Sequence, residues 1–363
     1  MKAQPYCILM AGGQGTRLWP ASTAEMPKQF LDPFCIGRTM LQLTFDRFSS
    51  VCEPDHFVVV TNRAYFDTVR RQLPEVPADN ILCEPFRRNT APCIALASAV
   101  IRARDPEAVT IVTPTDHMVT GEHSFVDCIA EVVDFAAGND ALVAIGIRPT
   151  RADTNYGYIQ CGSQADARYR SLCKVKTFTE KPNAEMAGIF IESGDFYWNA
   201  GVFVWSVRSA QMALTKFLPE IQSLFDGMSA HPTAAEIDAA YSECKNISID
   251  YGVMEKARNV FVNICNAHWT DIGTWPAIYD YSAKDEMQNA VVGRRCSTIF
   301  YNTASTMVCV PDDKYCIVDG LNNYMVIERD NMLIICPKNE DGNLLQYASD
   351  VRAEMVERTQ DER

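Results

Sequence analysis

The residues best suited to chemistry lie near the start of the chain, where Ala11-Gly12-Gly13-Gln14-Gly15-Thr16-Arg17 follows the apolar run Tyr6 to Met10. Three glycines in four positions let the backbone approach a ligand closely and take conformations closed to other residues. Successive N–H groups can then point at phosphate oxygens. Arg17 adds a permanent charge whose planar fork can hold two phosphate oxygens at once. Gly13-Gln14-Gly15 would open a dinucleotide fingerprint, but Leu18 stands where its third glycine belongs. A Walker loop fails as well, because no Gly-Lys-Ser or Gly-Lys-Thr follows. A plain glycine turn is the alternative to a phosphate site, and Arg17 with Pro27-Lys28-Gln29 favours the phosphate.

A second candidate is Asp116, at the end of the apolar run in Val112-Thr113-Pro114-Thr115-Asp116-His117. Open α/β sheets expose functional groups at such strand ends. A strand-end Asp is also a common turn or cap residue. His117 and His268 suggest zinc, yet no cysteine stands at ligand spacing, so they read as flanking residues. Glu84 and Asn89 have groups that could meet the edge of a base, while Thr90 could equally cap a helix.

These groups need a scaffold, and the chain is long enough to provide one. At 363 residues and 47% hydrophobic it can bury a full core and more than one minimal domain. Phe57 to Val60, Val109 to Val112 and Ala141 to Ile147 read as strands. They alternate with helical stripes such as Phe125, Ile129, Val132, Val133 and Ala136. Thr90 and Pro92 suit the first turn of an Ala-rich helix. The alternation predicts an α/β layer architecture with a largely parallel sheet. From about Asn289 the runs become short and β-prone, at 297–301, 307–310, 315–318 and 324–327, which predicts a small β appendage.

A net charge of −13 argues against nucleic acid and anionic membrane as partners, since both need clustered Lys and Arg. No stretch reaches the roughly 18 apolar residues of a membrane span, and the N-terminus lacks the regions of a signal peptide. The fourteen cysteines are scattered, without a CxxC pair, which reads as reduced, packed thiols in a cytoplasmic protein.

Gly12-Gly13-Gln14-Gly15-Thr16-Arg17-Leu18 together with Pro20 and Pro27-Lys28 resembles the first motif of the sugar nucleotidylyltransferases. Leu18-Trp19-Pro20 and Pro27-Lys28-Gln29-Phe30 are similar to the branch that joins mannose 1-phosphate to the GMP part of GTP. Thr23 departs from it, standing where an arginine is usual. The resemblance runs to about residue 281. It implies a Rossmann-like nucleotidyltransferase domain with a mixed, mostly parallel sheet over residues 1–284, then a short β-helix-like domain over 285–363.

What it implies for single residues follows its motifs. Ala11, Gly12, Gly13, Gly15, Thr16 and Arg17 would bind the nucleotide. So would Glu84, Arg88, Asn89 and Thr90, in a segment that resembles the purine side. Asp116 resembles a magnesium ligand, and His268-Trp269-Thr270-Asp271-Ile272-Gly273-Thr274-Trp275 resembles the element that supplies the second, Asp271. Arg17, Lys28, Asp116 and Asp271 would be the catalytic set. Tyr156-Gly157-Tyr158-Ile159 resembles a sugar-binding motif, with Asn155 in place of its first glycine. Glu180-Lys181-Pro182 resembles one whose Glu meets sugar hydroxyls and whose Lys meets the sugar phosphate. Asn199 and Gly201 fall in a further sugar motif, and Asp250 takes a sugar-side or structural role.

The implied reaction is formation of GDP-mannose and pyrophosphate from GTP and mannose 1-phosphate with Mg2+. The alternatives are another hexose 1-phosphate or another triphosphate, or a catalytically silent nucleotide-sugar sensor on the same fold. A single activity without an isomerase domain, and a homodimer, complete the expectation.

Overall fold

The computed structural model describes residues 4–361. Its chain divides into two compact units. The first runs to Gly12 and continues through Thr44–Thr115 and Val119–Trp269; the second comprises Gly13–Leu43, Asp116–Met118 and the residues from Thr270 onward. No helix among the described residues is long and apolar enough to cross a membrane.

In chain order the strands up to residue 271 are β1 (Tyr6–Met10), β2 (Phe57–Asn62), β3 (Ile81–Glu84), β4 (Val109–Pro114), β5 (His117–Thr120), β6 (Leu142–Ile147), β7 (Tyr158–Asp166), β8 (Tyr169–Thr179), β9 (Phe196–Ser206), β10 (Val260–Cys265) and β11 (His268–Asp271). The first unit is built on a nine-stranded sheet in the order β3-β2-β1-β4-β9-β6-β10-β8-β7. The pairings set β1, β2, β3, β4, β6, β7 and β10 in one direction and β8 and β9 in the other. This is the mixed, mostly parallel α/β sheet that the sequence implied. Strands buried on both faces read as continuous apolar runs, which is why β1, β2, β4 and β6 were legible. Met10 pairs with both Val60 and Pro114, and Asn62 with Glu84, so the ends of β1, β3 and β4 emerge at one sheet edge.

The helix Thr90–Arg104 is buried from Ala91 to Ile101, because small alanines let it pack among neighbours on every side. Its cap is Asn89, whose side chain accepts the Thr90 N–H at 2.9 Å, and not Thr90 as the sequence suggested. On the helix Glu122–Gly138, Phe125, Ile129, Val132 and Ala136 are buried as expected; Cys128 and Phe135 complete that face.

The thiol expectation needs one correction. Cys161 on β7 and Cys173 on β8 form a disulfide, while the other twelve cysteines remain thiols. The two strands form a hairpin with an irregular register, Cys161 opposite Val175 and Cys173 opposite Gln164, which brings the sulfurs together. Sequence spacing alone does not reveal such a register.

In the second unit the strands are β12 (Ala290–Val292), β13 (Ser297–Tyr301), β14 (Met307–Cys309), β15 (Tyr315–Asp319), β16 (Tyr324–Arg329) and β17 (Met332–Pro337). β12, β14 and β16 stack in parallel with Ala290, Met307 and Met325 in register; β13 and β15 form a second parallel pair, and β17 closes the first sheet antiparallel. Gln288, Ser305 and Asn323 each take a positive φ just before a rung, so the coils repeat. Buried polar bonds join them: Thr306 N–H donates to Asn289 Oδ1 at 3.1 Å, and Asn289 Nδ2 to Thr303 O at 3.0 Å. A boundary at residue 285 falls inside this unit. Leu18, Met40, Trp275 and Ile278 share one apolar cluster with Met307, Met325 and Ile327.

Candidate active site

In the second unit the glycine loop and the two acids meet through Lys28. Gly15 has φ 58°, and a Cβ there would collide with Lys28 Cγ. The glycine therefore serves both the left-handed turn and the passage of the lysine stem. Gln29 Nε2 donates to Gly13 O at 2.8 Å and Ser22 Oγ to Gln14 O at 3.3 Å, pinning the loop. Leu18 is buried, and Trp275 Nε1 donates to Trp19 O at 2.9 Å, so this part of the motif is an anchor.

Lys28 Nζ lies 3.0 Å from Asp116 Oδ2 and 2.8 Å from Asp271 Oδ1. Arg17 reaches Asp271 Oδ2 at 3.5 Å. The Ile272 N–H donates to the Asp116 carbonyl at 3.2 Å, which sets the two acids side by side. His117, read from sequence as a bystander, belongs to the group: its Nε2 is 3.6 Å from Asp116 Oδ1, and one ligand atom each of Asp116, His117 and Asp271 lie within 4.8 Å of one another. Burial alone would raise the Asp116 pKa, but the Lys28 ammonium, then His117, override it and hold the carboxyl below its ordinary range. Burial likewise opposes the charge on Lys28, and the two carboxylates outweigh it. Asp116 Oδ1 is buried and has no hydrogen-bond partner among the described residues. Two carboxyl groups side by side, one with an oxygen lacking a hydrogen bond, suit a hard divalent cation.

In the first unit, the Ala11 N–H donates to Val60 O at 2.8 Å and Thr61 Oγ1 to Ala11 O at 2.9 Å, fixing the chain where it leaves β1. Glu84 is buried at the end of β3, with Tyr241 OH donating to its Oε1 at 2.7 Å. Its Oε2 lies close beneath Gly12. Arg88 O accepts the Ile247 N–H at 3.3 Å, and its guanidinium lies over Phe86, 5.8 Å from the ring centroid. Thr90 Oγ1 accepts the Ile249 N–H at 2.9 Å. Arg87 was missed: Nε donates to Gly12 O at 3.3 Å and Nη2 to Tyr65 OH at 3.0 Å. Nothing in its spacing distinguishes it from Arg88.

Burial pushes the Glu84 pKa up to about 7 from 4.5, against the Tyr241 hydrogen bond and Arg87. The folded state therefore holds its proton more tightly than the unfolded chain. The stability that this proton contributes is complete below pH 4.5 and is lost as pH rises through about 7. Glu84→Gln removes that titration. Comparing the pH dependence of unfolding in urea for the two proteins should reveal a relative loss for wild type on the order of 3 kcal/mol across the window. Parallel profiles would refute the assignment.

The sugar-side motifs also converge within the first unit. A Cβ on Gly157 would lie 2.5 Å from Glu180 Oε2, so the bare backbone admits that carboxylate. Gly157 O accepts the Asn199 N–H at 2.8 Å. Asn199 Nδ2 donates to Asp250 Oδ1 at 2.8 Å, and its Oδ1 accepts the Gly201 N–H at 3.0 Å. Lys181 Nζ pairs with Glu180 Oε1 at 3.1 Å. Burial, then the Glu180 charge, lifts the Asp250 pKa to about 7. Tyr156 contacts Trp198 and Trp269, with ring centroids 5.0 and 5.1 Å away.

Tyr158 does not line this cluster. It is fully buried, and its OH accepts the Asp153 N–H at 3.1 Å and donates to Asp153 O at 3.0 Å. Alternation along a strand sends neighbouring residues to opposite faces, and Tyr158 takes the inner one. Asn155 closes the same turn, with its N–H and its Nδ2 each 2.9 Å from Asp153 Oδ1. Thr23 Oγ1 accepts the Met26 N–H at 3.1 Å, a local turn bond.

A model of the nucleotidyl transferase family matches residues 6–288. The mannose-1-phosphate guanylyltransferase RfbM of Salmonella typhimurium is 34% identical over 342 residues, covering 92% of this chain and 69% of that protein. A mannose-1-phosphate guanylyltransferase of Escherichia coli is 32% identical over 348 residues, 93% and 73% of the two chains. Among solved structures, one named as a mannose-1-phosphate geranyltransferase from Thermus thermophilus superposes with TM-score 0.85 at 28% identity, covering 96% of this chain and 99% of its own. With the family model matched over residues 6–288 and relatives of 32–34% identity along nine-tenths of its length, this chain belongs to the nucleotidyl transferase family.

Proposed function

We propose that the chain transfers GMP from GTP to mannose 1-phosphate, giving GDP-mannose and pyrophosphate. The observation that carries the reading is Lys28 clasped by Asp116 and Asp271 against the glycine loop. A phosphate oxygen of the sugar phosphate attacks the α-phosphorus of GTP. The bond from that phosphorus to the β-phosphate oxygen breaks, and pyrophosphate leaves with the electron pair. The attacking oxygen is already anionic, so no activated serine or cysteine is required.

The protein supplies alignment and charge neutralisation. Loop N–H groups and Arg17 take the triphosphate, and Lys28 takes charge on the transferred and leaving phosphates. Lys181 takes the sugar phosphate, and Glu180 and Asn199 read the sugar hydroxyls. Glu84, Arg88 and Asn89 form the purine side. Asp116 and Asp271 would hold Mg2+, which when bound neutralises phosphate charge as a Lewis acid. A cytoplasmic location, read from the scattered cysteines, and a homodimer, which the resemblance implies, belong to the same reading.

The test is a matrix of purified protein against four nucleoside triphosphates and several hexose 1-phosphates, read by pyrophosphate release and product analysis. GTP with mannose 1-phosphate should exceed every other pair. A wrong purine or epimer leaves buried polar groups unpaired, which discriminates by orders of magnitude. Predominant ADP- or UDP-sugar would overturn the substrate assignment while leaving nucleotidyl transfer standing. No product from any pair would favour a silent sensor.

A further inference from the structure

Glu180 and Lys181 sit in a turn that cannot hold its own shape cheaply. Lys181 has φ 45°, in the left-handed region that non-glycine residues avoid, and the residue after it is proline. Its ammonium is bonded to the neighbouring Glu180, which gives the pair no fixed direction relative to the sheet. A contact to the turn's backbone is made by an otherwise unassigned side chain: Glu255 Oε1 accepts the Glu180 N–H at 3.1 Å.

Glu255 is exposed, but the element that carries it is firmly mounted. It follows directly on the single π-helical turn Asp250–Met254, an uncommon conformation that recurs at functional sites. Val253 and Met254 are buried, and the Glu255 N–H donates back to Asp250 O at 3.0 Å. At the head of the turn Asp250 grips Asn199, and just before it Ile249 and Ile247 are bonded to Thr90 and Arg88. One short segment, 247–255, thus holds the start of the helix Thr90–Arg104 at one end and two of the three sugar-side motifs, through Asn199 and Glu180, at the other. Its last residue fixes the backbone of the turn.

We propose that Glu255 is a positioning residue, which through its bond to the Glu180 N–H orients Glu180 and Lys181 for the sugar phosphate. The proposal rests on the substrate reading above. It does not require Glu255 to touch substrate, and it assigns the role to a hydrogen-bond acceptor, not to a negative charge.

The experiment compares the full-length chain with Glu255→Ala and Glu255→Gln. Glu255→Ala should raise KM for mannose 1-phosphate about three- to tenfold, with kcat and KM for GTP within about twofold. Glu255→Gln should behave as wild type, because its amide oxygen still accepts the bond. In parallel, amide hydrogen exchange followed by mass spectrometry should show Glu180–Lys181 exchanging faster in the Ala variant only. If Glu255→Ala is not recovered folded, Glu255→Ser provides the same truncation. An unchanged KM for the sugar phosphate, or a Gln variant that matches the Ala variant, would overturn the proposal. If wild type made no product from GTP and mannose 1-phosphate, the substrate reading would fail by itself, and the exchange data would still decide whether Glu255 holds the turn.

Discussion

Asp271→Ala should lower turnover by about a thousandfold while leaving the fold in place, the scale expected when a centre that neutralises phosphate charge is lost. The side chain bonds Lys28 and lies near Arg17, at distances of 2.8 and 3.5 Å. Its removal therefore opens one side of the candidate cation site, while Lys28 keeps its bond to Asp116 at 3.0 Å. The retained pair is why folding should survive. Chelation of divalent ions should lower wild-type turnover in the same way, and titration calorimetry of magnesium into the variant should show binding weakened or abolished. Asp116→Ala should behave alike, since the buried Oδ1 that lacks a hydrogen bond among the described residues belongs to that residue. Full activity in a correctly folded Asp271→Ala protein would sink the shared site.

Lys28→Ala should lower kcat by about a hundredfold to a thousandfold, as does removing one preorganised donor aimed at developing charge. Michaelis constants should change less, because the charge that Lys28 meets builds up in the transition state. The geometry adds a second, independent effect. Without the ammonium, Asp116 and Asp271 face each other with no cation between them. They are partly exposed, 29% and 21% of the side chain, so solvent softens the repulsion. A loss of about 1 to 3 kcal/mol is expected, below the cost of stranding a fully buried charge. Magnesium should return part of that loss by mass action, raising the melting temperature of Lys28→Ala more than that of wild type. Unchanged kcat would remove Lys28 from the catalytic set. A variant as stable as wild type without metal would show that the lysine does not hold the acids.

Some of this protein is written locally. A glycine at a left-handed turn, an arginine behind it and a doubly buried apolar strand each obey rules that act over a few residues, so the glycine turn, β1, β2, β4 and β6 were legible. The same holds for β13 to β16, whose β-prone runs stand where the strands do. Motif resemblance added residues whose chemistry the local pattern leaves ambiguous, among them Glu180 and Asp271.

Other features depend on which strands become neighbours, and this is where single residues escaped. The stacked rungs of the small coil arise from a repeat that is weak in side chains and strong only in turn backbone, at Gln288, Ser305 and Asn323. Tyr158 was drawn to the sugar by its motif, yet strand alternation turns it inward to Asp153. His117 was set aside for lack of cysteine partners, although its neighbours in space are Asp116 and Asp271. Cys161 meets Cys173 through a hairpin register. Glu255 reaches Glu180 because a π-helical turn places it there. By itself the sequence determined the glycine turn, the alternation of layers and the strand-end Asp116, because sterics, periodicity and charge are properties of neighbouring residues. Only the tertiary structure decided that Lys28 joins Asp116 to Asp271 and that Glu255 holds Glu180, because bonds between distant segments are set by strand order and burial, which no short stretch of chain contains.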